Sequence, residues 1–540
     1  MTQLNPKLLS AALALALAVP IAHAAVPAAS SAPVVRAKAL LASADGKEKS
    51  FANAGDAFTA SDVPTATAGI EHVRFTRTYR GLPVLGGDVV VHSRAGKLVS
   101  VTQTLTSVQR PASLTPKLSA SDAIVEAGVD FGSNFQGTPS ATLVVSALKG
   151  APVLAYQVRM NGIKGDGTPT DMRYVLDAQT GAILAKWDTV HTATPGGGGV
   201  GCTNGVPAKG TGQTLYQGSV TLDTVKCGNS HYQLLDKTRG GGYTVDMGGV
   251  HSTAAGVLVT DVDNTWGNGA RTNRQTDAAD AHFGVAATWD YFKNKHGRLG
   301  IANDGKGAKT RVHYGVNYAN AFWADGCFCI TFGDVMTALD VAGHEMAHGV
   351  TSRSAELIYS GDAGGLNEAT SDIFGTLVEY DVNNPSSPPN YLIGEDLKAL
   401  LGRDALRYMF KPSLDNSSYD CYSSAVSSAD PHYSSGVGNH FFYLLAEGAR
   451  VPDGYGAGSK ANLGASDLVC NGDTGLVGIG RDDAGKIWYL ALTAYMTSNT
   501  TYPQARVATL NAARDLFGVD SLQHRAVAAA WSAVSVDAAN

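Results

Sequence analysis

Basic residues are few in this sequence, and their scarcity excludes one class of partner. The 540 residues include 41 lysines and arginines against 47 aspartates and glutamates, so the formal net charge at pH 7 is -6. A chain with this balance has no basic footprint, and we expect no nucleic-acid partner. Charged residues make up 16% of the chain and hydrophobic residues 44%, which indicates globular domains and excludes a disordered or fibrous protein.

Long apolar runs are also missing beyond the N-terminal segment, although a membrane-spanning helix needs about 18 apolar residues. In that segment Lys7 precedes an apolar stretch from Leu8 to Ile21, and Ala22-His23-Ala24 follows. The pattern predicts a cleavable signal peptide over residues 1–24, too short in its apolar part to remain as an anchor. We therefore expect a secreted protein without a membrane anchor.

Cysteine is rare, with six residues and none before position 202. An even count in an exported protein predicts disulfides, although the sequence leaves their connectivity open. Cys327 and Cys329 would close a small ring if they paired. A zinc site made of cysteines is the alternative, but the spacings do not form paired knuckles. The six positions are Cys202, Cys227, Cys327, Cys329, Cys421 and Cys470.

The motif His344-Glu345-Met346-Ala347-His348 is the strongest chemical signal in the chain. On a helix of about 3.6 residues per turn, His344 and His348 share one face and can bind the same zinc ion. Glu345 lies about 100° round the helix, where it can act as a base toward a water molecule but not easily as a ligand. Two ordinary histidines on a helix remain the alternative for this motif alone.

A zinc site needs a third protein ligand, and the next predicted helix, which is acidic, offers one. We predict a helix from Asn367 to about Tyr380, in which Glu368, Asp372 and Glu379 share one face. Apolar residues lie between these carboxylates, and unpaired charges in such surroundings are costly, so the face is expected to bind cations. A solvated acidic face is the alternative. Glu368 is the candidate third zinc ligand.

Together these residues resemble the zinc site of thermolysin-like metalloendopeptidases, most closely the vibriolysin and pseudolysin group. Glu368 stands in the family setting Asn-Glu-Ala-x-Ser-Asp, and Asn320-Ala321-Phe322-Trp323 resembles the edge strand that binds peptide substrates. The similarity extends from about residue 200 to residue 536. It implies an α+β fold of two lobes, β-rich and then α-helical, with the zinc site on a central helix in the cleft between them.

The resemblance also implies a role for each matching residue. His344, His348 and Glu368 would bind one zinc ion, with Glu345 as the general base. Tyr359 and His432 would stabilise the oxyanion, while Asp372 and Asp430 would orient His344 and His432. The substrate-binding positions implied in the same way are Asn320, Ala321, Arg407, Val341 and Leu406.

A calcium site is implied one turn before the first histidine. Asp340 occupies a family position that faces a calcium ion together with carboxylates of the following helix, and hard calcium prefers several oxygen ligands. We expect at least one structural calcium. Its implied ligands are Asp340, Glu379, Asn390, Leu392 through its backbone carbonyl, and Glu395.

The region between the signal peptide and residue 191 has the alternating pattern of an α+β region. Tyr79 to Gly87 and Tyr174 to Trp187 resemble two parts of the family's propeptide. We therefore expect residues 25–191 to be an inhibitor and folding chaperone, with subdomains over about 40–105 and 115–188. Self-cleavage is expected between about His191 and Thr194.

The mature part is predicted to divide after the zinc helix. Residues 192–350 should form the β-rich lobe, with one clear helix from about Ala279 to Lys295, and residues 351–540 the helical lobe. The resemblance pairs Cys202 with Cys227, as in pseudolysin. It gives no partner beyond substrates and the propeptide, and we expect a monomer after maturation.

These features predict a secreted neutral zinc endopeptidase made as a zymogen. Val341 and Leu406 match positions that favour an apolar residue after the scissile bond, but the segment between Asp334 and Asp340 is shorter than in thermolysin, so the preference should be weak. A zinc aminopeptidase is one alternative, although its Gly-x-Met-Glu-Asn signature is not found in the sequence. A binding protein on an inactive protease scaffold is the other.

Overall fold

The computed structural model describes residues 29–64, 66–132, 135–165, 167–189, 202, 204–251 and 256–537. The expected signal peptide (1–24) and the expected cleavage region (His191 to Thr194) lie outside the described residues. Within those ranges the structure contains no helix with the length and apolar character needed to cross a membrane.

The N-terminal region forms one sheet of nine strands with three helices. The strand order is β5-β4-β2-β3-β6-β7-β8-β9, with β1 beside β2, and the parallel pairing of β3 with β6 joins the two halves of the sheet. The elements are α1 (Ala32–Ala42), α2 (Ala44–Lys49), β1 (Asp56–Asp62), β2 (Ile70–Tyr79), β3 (Leu82–Leu85), β4 (Val89–Arg94), β5 (Lys97–Gln103), α3 (Ala120–Phe131), β6 (Phe135–Ser146), β7 (Val153–Ile163), β8 (Pro169–Asp177) and β9 (Ile183–Asp188).

The next region is rich in short strands that form two sheets around one long helix. In the second sheet the order β13-β14-β18-β20-β19 leaves β19 at an edge. The elements are β10 (Val206–Gln213), β11 (Ser219–Gly228), β12 (His231–Gln233), β13 (Leu235–Asp236), β14 (Gly242–Asp246), β15 (Val257–Leu258), β16 (Thr260–Asp261), β17 (Thr265–Gly267), α4 (Arg274–His296), β18 (Lys309–Val312), β19 (Ala321–Ala324) and β20 (Cys329–Phe332).

The C-terminal region is mostly helical and has the largest apolar core of the chain. Its elements are α5 (Leu339–Ser352), α6 (Gly361–Val382), β21 (Leu392–Ile393), α7 (Lys398–Leu401), β22 (Arg407–Tyr408), α8 (Pro431–Ser434), α9 (Gly436–Glu447), α10 (Arg481–Leu490), a π-helical turn (Ala491–Tyr495), α11 (Tyr502–Phe517) and α12 (Leu522–Ala533), with 3-10 turns at Glu395–Leu397, Pro412–Asp415, Val426–Ser428 and Ala465–Leu468. One further 3-10 turn, Lys237–Arg239, lies between β13 and β14 of the preceding region.

Helices α5 and α6 position the expected zinc ligands, and glycine lets them approach closely. A Cβ atom at Gly375 would lie 2.5 Å from the carbonyl oxygen of Asp340, and one at Gly343 would lie 2.8 Å from Cα of Gly375. Only a residue without a side chain fits at such a contact. The two helices therefore present their side chains to each other across a short distance.

The α+β, two-lobed architecture predicted from the sequence is confirmed, while two helix boundaries differ. Helix α4 begins at Arg274 because the side chain of Asn273 accepts a hydrogen bond from the Gln275 amide and caps the helix. Helix α6 begins at Gly361, before the acidic residues on which the prediction was based. The six cysteines form the disulfides Cys202–Cys227, Cys327–Cys329 and Cys421–Cys470.

Candidate metal centre

Three buried donors from two helices face one point. The Nε2 atoms of His344 and His348, both on α5, lie 3.1 Å apart. Glu368, on α6, has one carboxylate oxygen 3.2 Å from Nε2 of His348 and the other 3.6 Å from Nε2 of His344. Among the described residues, this is the one group of three His, Cys, Asp or Glu side chains whose donor atoms all lie within 4.8 Å of one another.

Both imidazoles are held by acceptors at their other nitrogen. Nδ1 of His344 lies 2.8 Å from a carboxylate oxygen of Asp372. Nδ1 of His348 lies 2.8 Å from Oδ1 of Asn367, whose amide nitrogen donates to the carbonyl of Leu357. Each Nδ1 therefore carries the proton, and each Nε2 directs a lone pair toward the common point.

This donor set fits a zinc ion. Two imidazole nitrogens and one carboxylate are the ligands of a catalytic zinc site with a further open position. The Oε2 atom of Glu368, 3.6 Å from Nε2 of His344, has no hydrogen-bond partner among the described residues. Burial would lower the pKa of His348, but the adjacent Glu368 raises it to about 9, because a buried carboxylate favours positive charge beside it.

Glu345 lies beside this cluster. It is buried, and its carboxylate lies close to the backbone of Trp323 in strand β19. Burial raises the pKa of Glu345, while His344 and His348 oppose the shift. A carboxylate with a raised pKa is a better base near neutral pH than a solvated one.

Two further polar groups lie on the open side of the donors. The Tyr359 hydroxyl lies 2.5 Å from Glu368 and 3.3 Å from Nε2 of His432. His432 is half-exposed at 52% of its side chain, and its Nδ1 lies 2.8 Å from Asp430, which also accepts from the His432 amide. The negative charge of Glu368, together with Asp430, raises the pKa of His432.

Arg407 lies behind the donors rather than on a helix surface. It occupies strand β22, and its guanidinium makes two hydrogen bonds to Asp372, of 2.7 and 2.6 Å. Burial would raise the pKa of Asp372, but Arg407 and His344 lower it well below the usual range. Asp372 is therefore ionised and accepts from both.

Two asparagines at the site were not assigned a role from the sequence. Asn367 directly precedes Glu368 and could have been found from its place beside a ligand. Asn439, on α9, donates to Asp372 at 2.8 Å across a separation of 67 residues. No local pattern marks it, because the contact depends on how α9 packs against α6.

The expected substrate-binding residues lie around the same cleft. Asn320 directly precedes edge strand β19 and is exposed, with Oδ1 2.9 Å from the amide nitrogen of Ala321. Val341 is buried, and Leu406 is half-buried against the same apolar cluster, which includes Met336.

The expected calcium ligands form a second acidic cluster nearby. Asp340 accepts from the amides of Val341 and Gly394, and Asn390 donates to Glu395 at 2.7 Å. Burial first, and the neighbouring carboxylates second, raise the pKa of Asp340 to about 6 and that of Glu395 to about 8, and they raise the pKa of Glu379 in the same way. One oxygen each of Glu379 and Glu395 has no hydrogen-bond partner in the described part of the chain. Leu392 is half-buried in β21.

The fold and this site together define a metallopeptidase. Three family models match the chain: the thermolysin metallopeptidase catalytic domain over residues 209–352, the alpha-helical domain of the same family over residues 355–536, and the fungalysin/thermolysin propeptide motif over residues 56–105.

Known relatives agree with these matches. A thermolysin of Bacillus sp. (strain EA1) is 34% identical over 86% of this chain and 83% of its own length, and a bacillolysin of Bacillus cereus is 34% identical over 86% and 82%. The transglutaminase-activating metalloprotease of Streptomyces mobaraensis is 44% identical over 485 residues. This chain matches 60% of the length of that relative. The chain belongs to the thermolysin family of metallopeptidases and carries the family's propeptide motif.

Proposed function

We propose that this metallopeptidase is a secreted zinc endopeptidase that hydrolyses internal peptide bonds of proteins at neutral pH. The observation that carries the proposal is the buried carboxylate of Glu345, which interacts electrostatically with all three donors of the cluster and lies close to the backbone of the edge strand β19. A peptide added to that edge would place its backbone beside both a metal and a base.

His344, His348 and Glu368 would hold the zinc ion. When bound, zinc supplies Lewis acidity, which polarises a carbonyl group and acidifies water. Asp372 and Asn367 keep both imidazoles in the Nδ1–H form, so the donors are ready without rearrangement.

Glu345 would move the proton. Its carboxylate takes a proton from the attacking water and then delivers it to the leaving amine, which prevents reversal of the reaction. Burial favours this exchange because a raised pKa brings the carboxylate closer to the pH at which it must both accept and release a proton.

Tyr359 and His432 would stabilise the oxyanion. The raised pKa of His432 keeps its imidazole protonated further toward neutral pH, and Asp430 orients it through Nδ1. The Tyr359 hydroxyl, within 3.3 Å of His432, can donate to the same oxygen. Two aligned donors of this kind stabilise developing negative charge.

The substrate would bind as an added strand. Ala321 offers backbone groups at the edge of the sheet, and Asn320 offers a side-chain amide at the start of that strand. Arg407 would bind a substrate carbonyl on the leaving-group side while Asp372 holds its guanidinium in place.

Val341 and Leu406 would form an apolar subsite for the residue after the scissile bond. Met336 is buried in the same apolar cluster as Val341, and Leu406 packs against that cluster. We expect a weak preference for bulky apolar residues. Cleavage profiling with a random peptide library is the test, and a preference for acidic or small residues would contradict it.

Residues 25–191 would act as a propeptide after removal of residues 1–24, leaving lobes over 192–350 and 351–540. Trp187 of the N-terminal sheet packs in one apolar cluster with Val144 and Val175, and Ile358 and Tyr359 of the cleft pack against that cluster. Side chains at the end of the propeptide therefore cover a residue that we assign to catalysis, which supports an inhibitory role.

The acidic cluster would hold a calcium ion. Its buried carboxylates repel one another, and a divalent cation with oxygen ligands relieves that repulsion. Asp340, Glu379 and Glu395 offer side-chain oxygens, and Asn390 and Leu392 offer carbonyl oxygens. The mature enzyme is expected to be a monomer.

The test is hydrolysis of peptides blocked at the amino end, with and without a chelator. Cleavage that a chelator abolishes and zinc restores supports the proposal. Cleavage only of peptides with a free amino terminus would indicate an aminopeptidase, and binding without cleavage an inactive scaffold. The amino-terminal sequence of the secreted species would locate the maturation site, and a Glu345→Ala protein that is secreted already trimmed would exclude self-processing.

A further inference from the structure

The propeptide sheet has two faces, and its own helices cover one of them. Successive side chains of a strand point to opposite faces. Val73 and Phe75 of β2 pack with Val34 and Leu41 of α1 in one apolar cluster. His72, which alternates with them, therefore lies on the other face.

That second face lies against the helical lobe, at the π-helical turn and the residues after it. Arg74 donates to the carbonyl oxygens of Met496 at 2.7 Å and Thr493 at 3.3 Å. Asp88 accepts from the amide of Ser498 at 3.1 Å and from its hydroxyl. The turn leaves carbonyl groups without helical partners, and the propeptide arginine satisfies them.

A pair of histidines is buried in the same contact. His72 and His92 stand opposite each other on β2 and β4, and their Nδ1 atoms lie 2.8 Å apart. The ring of Tyr495 in the helical lobe stacks on His92 at 4.5 Å and meets His72 edge-on at 5.3 Å. Both histidines are 0% exposed, and α1 covers the opposite face, so the helical lobe excludes water from them.

The hydrogen bonds of this pair are complete only when both rings are neutral. Nε2 of His92 lies 2.8 Å from the hydroxyl of Thr102. Nε2 of His72 has no hydrogen-bond partner among the described residues. With one proton shared between the two Nδ1 atoms, both rings can be neutral. An extra proton on His72 would leave its Nε2–H buried without an acceptor. If His92 carried the extra proton, either the two Nδ1 atoms would both bear protons and face each other, or His72 would bear its proton on Nε2, again without an acceptor.

The charged groups around the pair do not reverse this preference. Burial lowers the pKa of His72 to about 4, with Asp515 opposing the shift and Arg74 adding to it. Burial also lowers the pKa of His92, with His72, Arg74 and Arg514 adding to the effect. The other charged or titratable groups at this contact are Asp62, Asp88, Arg298 and Tyr495, whose hydroxyl donates to Asp515.

We propose that residues 491–499 of the helical lobe are a docking surface for the propeptide sheet and that acidification loosens this contact by charging His72 or His92. The inference rests on the proposed function in one respect, that the N-terminal region is a propeptide which must leave. It adds a regulatory contact that uses none of the metal donors.

Proton linkage determines whether the contact strengthens or weakens as pH falls. Solvated histidine titrates near about 6.5, so a separated sheet gains a proton below that pH while the packed sheet does not. The contact is therefore at full strength above about pH 6.5 and weakens as pH falls. The two imidazoles remain cross-strand neighbours after separation, so one of them takes up most of the charge. We expect the contact to weaken about tenfold between pH 7.5 and 5.5.

The test uses the full-length chain carrying Glu345→Gln, so that cleavage does not occur. Hydrogen exchange of the peptide containing Ser498, whose amide bonds to Asp88, is measured at pH 7.5 and 5.5 and corrected for intrinsic rates. Protection should fall about tenfold, but less than about twofold when His72→Gln and His92→Gln are added. His231→Gln, at an exposed position of β12, is the matched control and should retain the full loss.

Unchanged or higher protection at pH 5.5 in the chain with both histidines would overturn the proposal, since it would mean that Asp515 stabilises a charged His72. Because the chain stays intact, the result does not depend on whether it processes itself. A histidine-selective NMR titration covers the case in which the glutamine variant packs poorly. Two imidazoles, identified by their loss in that variant, should be neutral at pH 6, and a charge on either of them would contradict the inference.

Discussion

Helices α5 and α6 carry two buried clusters with acidic side chains, and the groups that surround the buried carboxylates differ between the two clusters. At the metal donors, Glu368 faces two imidazoles whose outer nitrogens are held by Asp372 and Asn367. At the second cluster, the charged groups that act on Asp340 and Glu379 are other carboxylates. The donor atoms of the first lie within 4.8 Å of one another, and those of the second do not meet that limit.

The difference shows what a buried carboxylate needs. Imidazoles, Tyr359 and a predicted zinc ion neutralise Glu368, and burial does not prevent it from staying ionised. The carboxylates of the second cluster have few donors, and burial raises their pKa values. Substitutions in the first cluster should therefore lower mainly the catalytic activity, and substitutions in the second should lower mainly the stability of the fold.

The largest expected effect is at Glu345, the proposed base beside the first cluster. Glu345→Gln should lower kcat/KM about 10³- to 10⁴-fold, because it removes proton transfer while leaving the three donors intact. A trace of active enzyme releases the variant from its propeptide, and hydrolysis of blocked peptides then measures its kcat/KM. Zinc content should be unchanged, and Glu356→Gln at an exposed position is the control. Loss of zinc together with activity would assign Glu345 to the ligands instead.

A smaller effect is expected at Asp372, which supports the first cluster without belonging to it. Asp372→Asn should weaken zinc affinity about 10- to 100-fold, because His344 loses its charged acceptor and Arg407 its partner. Competition with a chromophoric chelator measures the affinity. Asp381→Asn, at the exposed end of the same helix, should leave it unchanged. Equal affinities for both variants would show that the orientation of His344 does not depend on Asp372.

Calcium removal should act on the second cluster alone. A ligand at 100 times its Kd stabilises by about 2.7 kcal/mol, so selective chelation of calcium should lower the Tm by about 5–10 °C. Differential scanning calorimetry with zinc kept bound measures the shift. Glu379→Gln should remove most of it, and a full shift in that variant would place calcium elsewhere.

The smallest effect is the pH dependence of the calcium-free protein. Raised carboxyl pKa values mean that the folded state binds protons more tightly than the unfolded state, so these groups destabilise the fold above their folded pKa values. Without calcium, the cluster's contribution to the Tm should increase by a few degrees as pH falls from 8 toward 5. The difference in Tm between the wild type and Glu379→Gln, measured at each pH, isolates the contribution of the cluster. With calcium bound the trend should reverse, because proton uptake then competes with the ion.

The clusters also differ in how well the sequence predicts them. The spacing of His344, Glu345 and His348 places two ligands and a base by helical geometry alone, and Glu368 lies within the pattern of the next helix. The second cluster combines both helices with Glu395 on a separate turn. The acidic face of α6 indicated Glu379 as a cation-binding residue, but Asp340, Asn390, Leu392 and Glu395 could be proposed only from resemblance to a family.

Other features depend on long-range packing. Arg407 could be expected near a substrate, but its two hydrogen bonds to Asp372 depend on the pairing of β21 with β22. Asn439 reaches the same carboxylate from another helix. The contact of His72 and His92 with Tyr495 joins residues more than 400 positions apart, and no periodicity relates them.

The sequence by itself determined the ligand-base-ligand motif, because helical spacing is a local property, and its resemblance to a known family implied the two-lobed α+β class and the propeptide. The tertiary structure alone decided which polar groups are buried together, which of them have partners, and which face of the propeptide sheet meets the helical lobe. Those outcomes depend on desolvation, and desolvation is determined by surfaces that distant parts of the chain bring into contact.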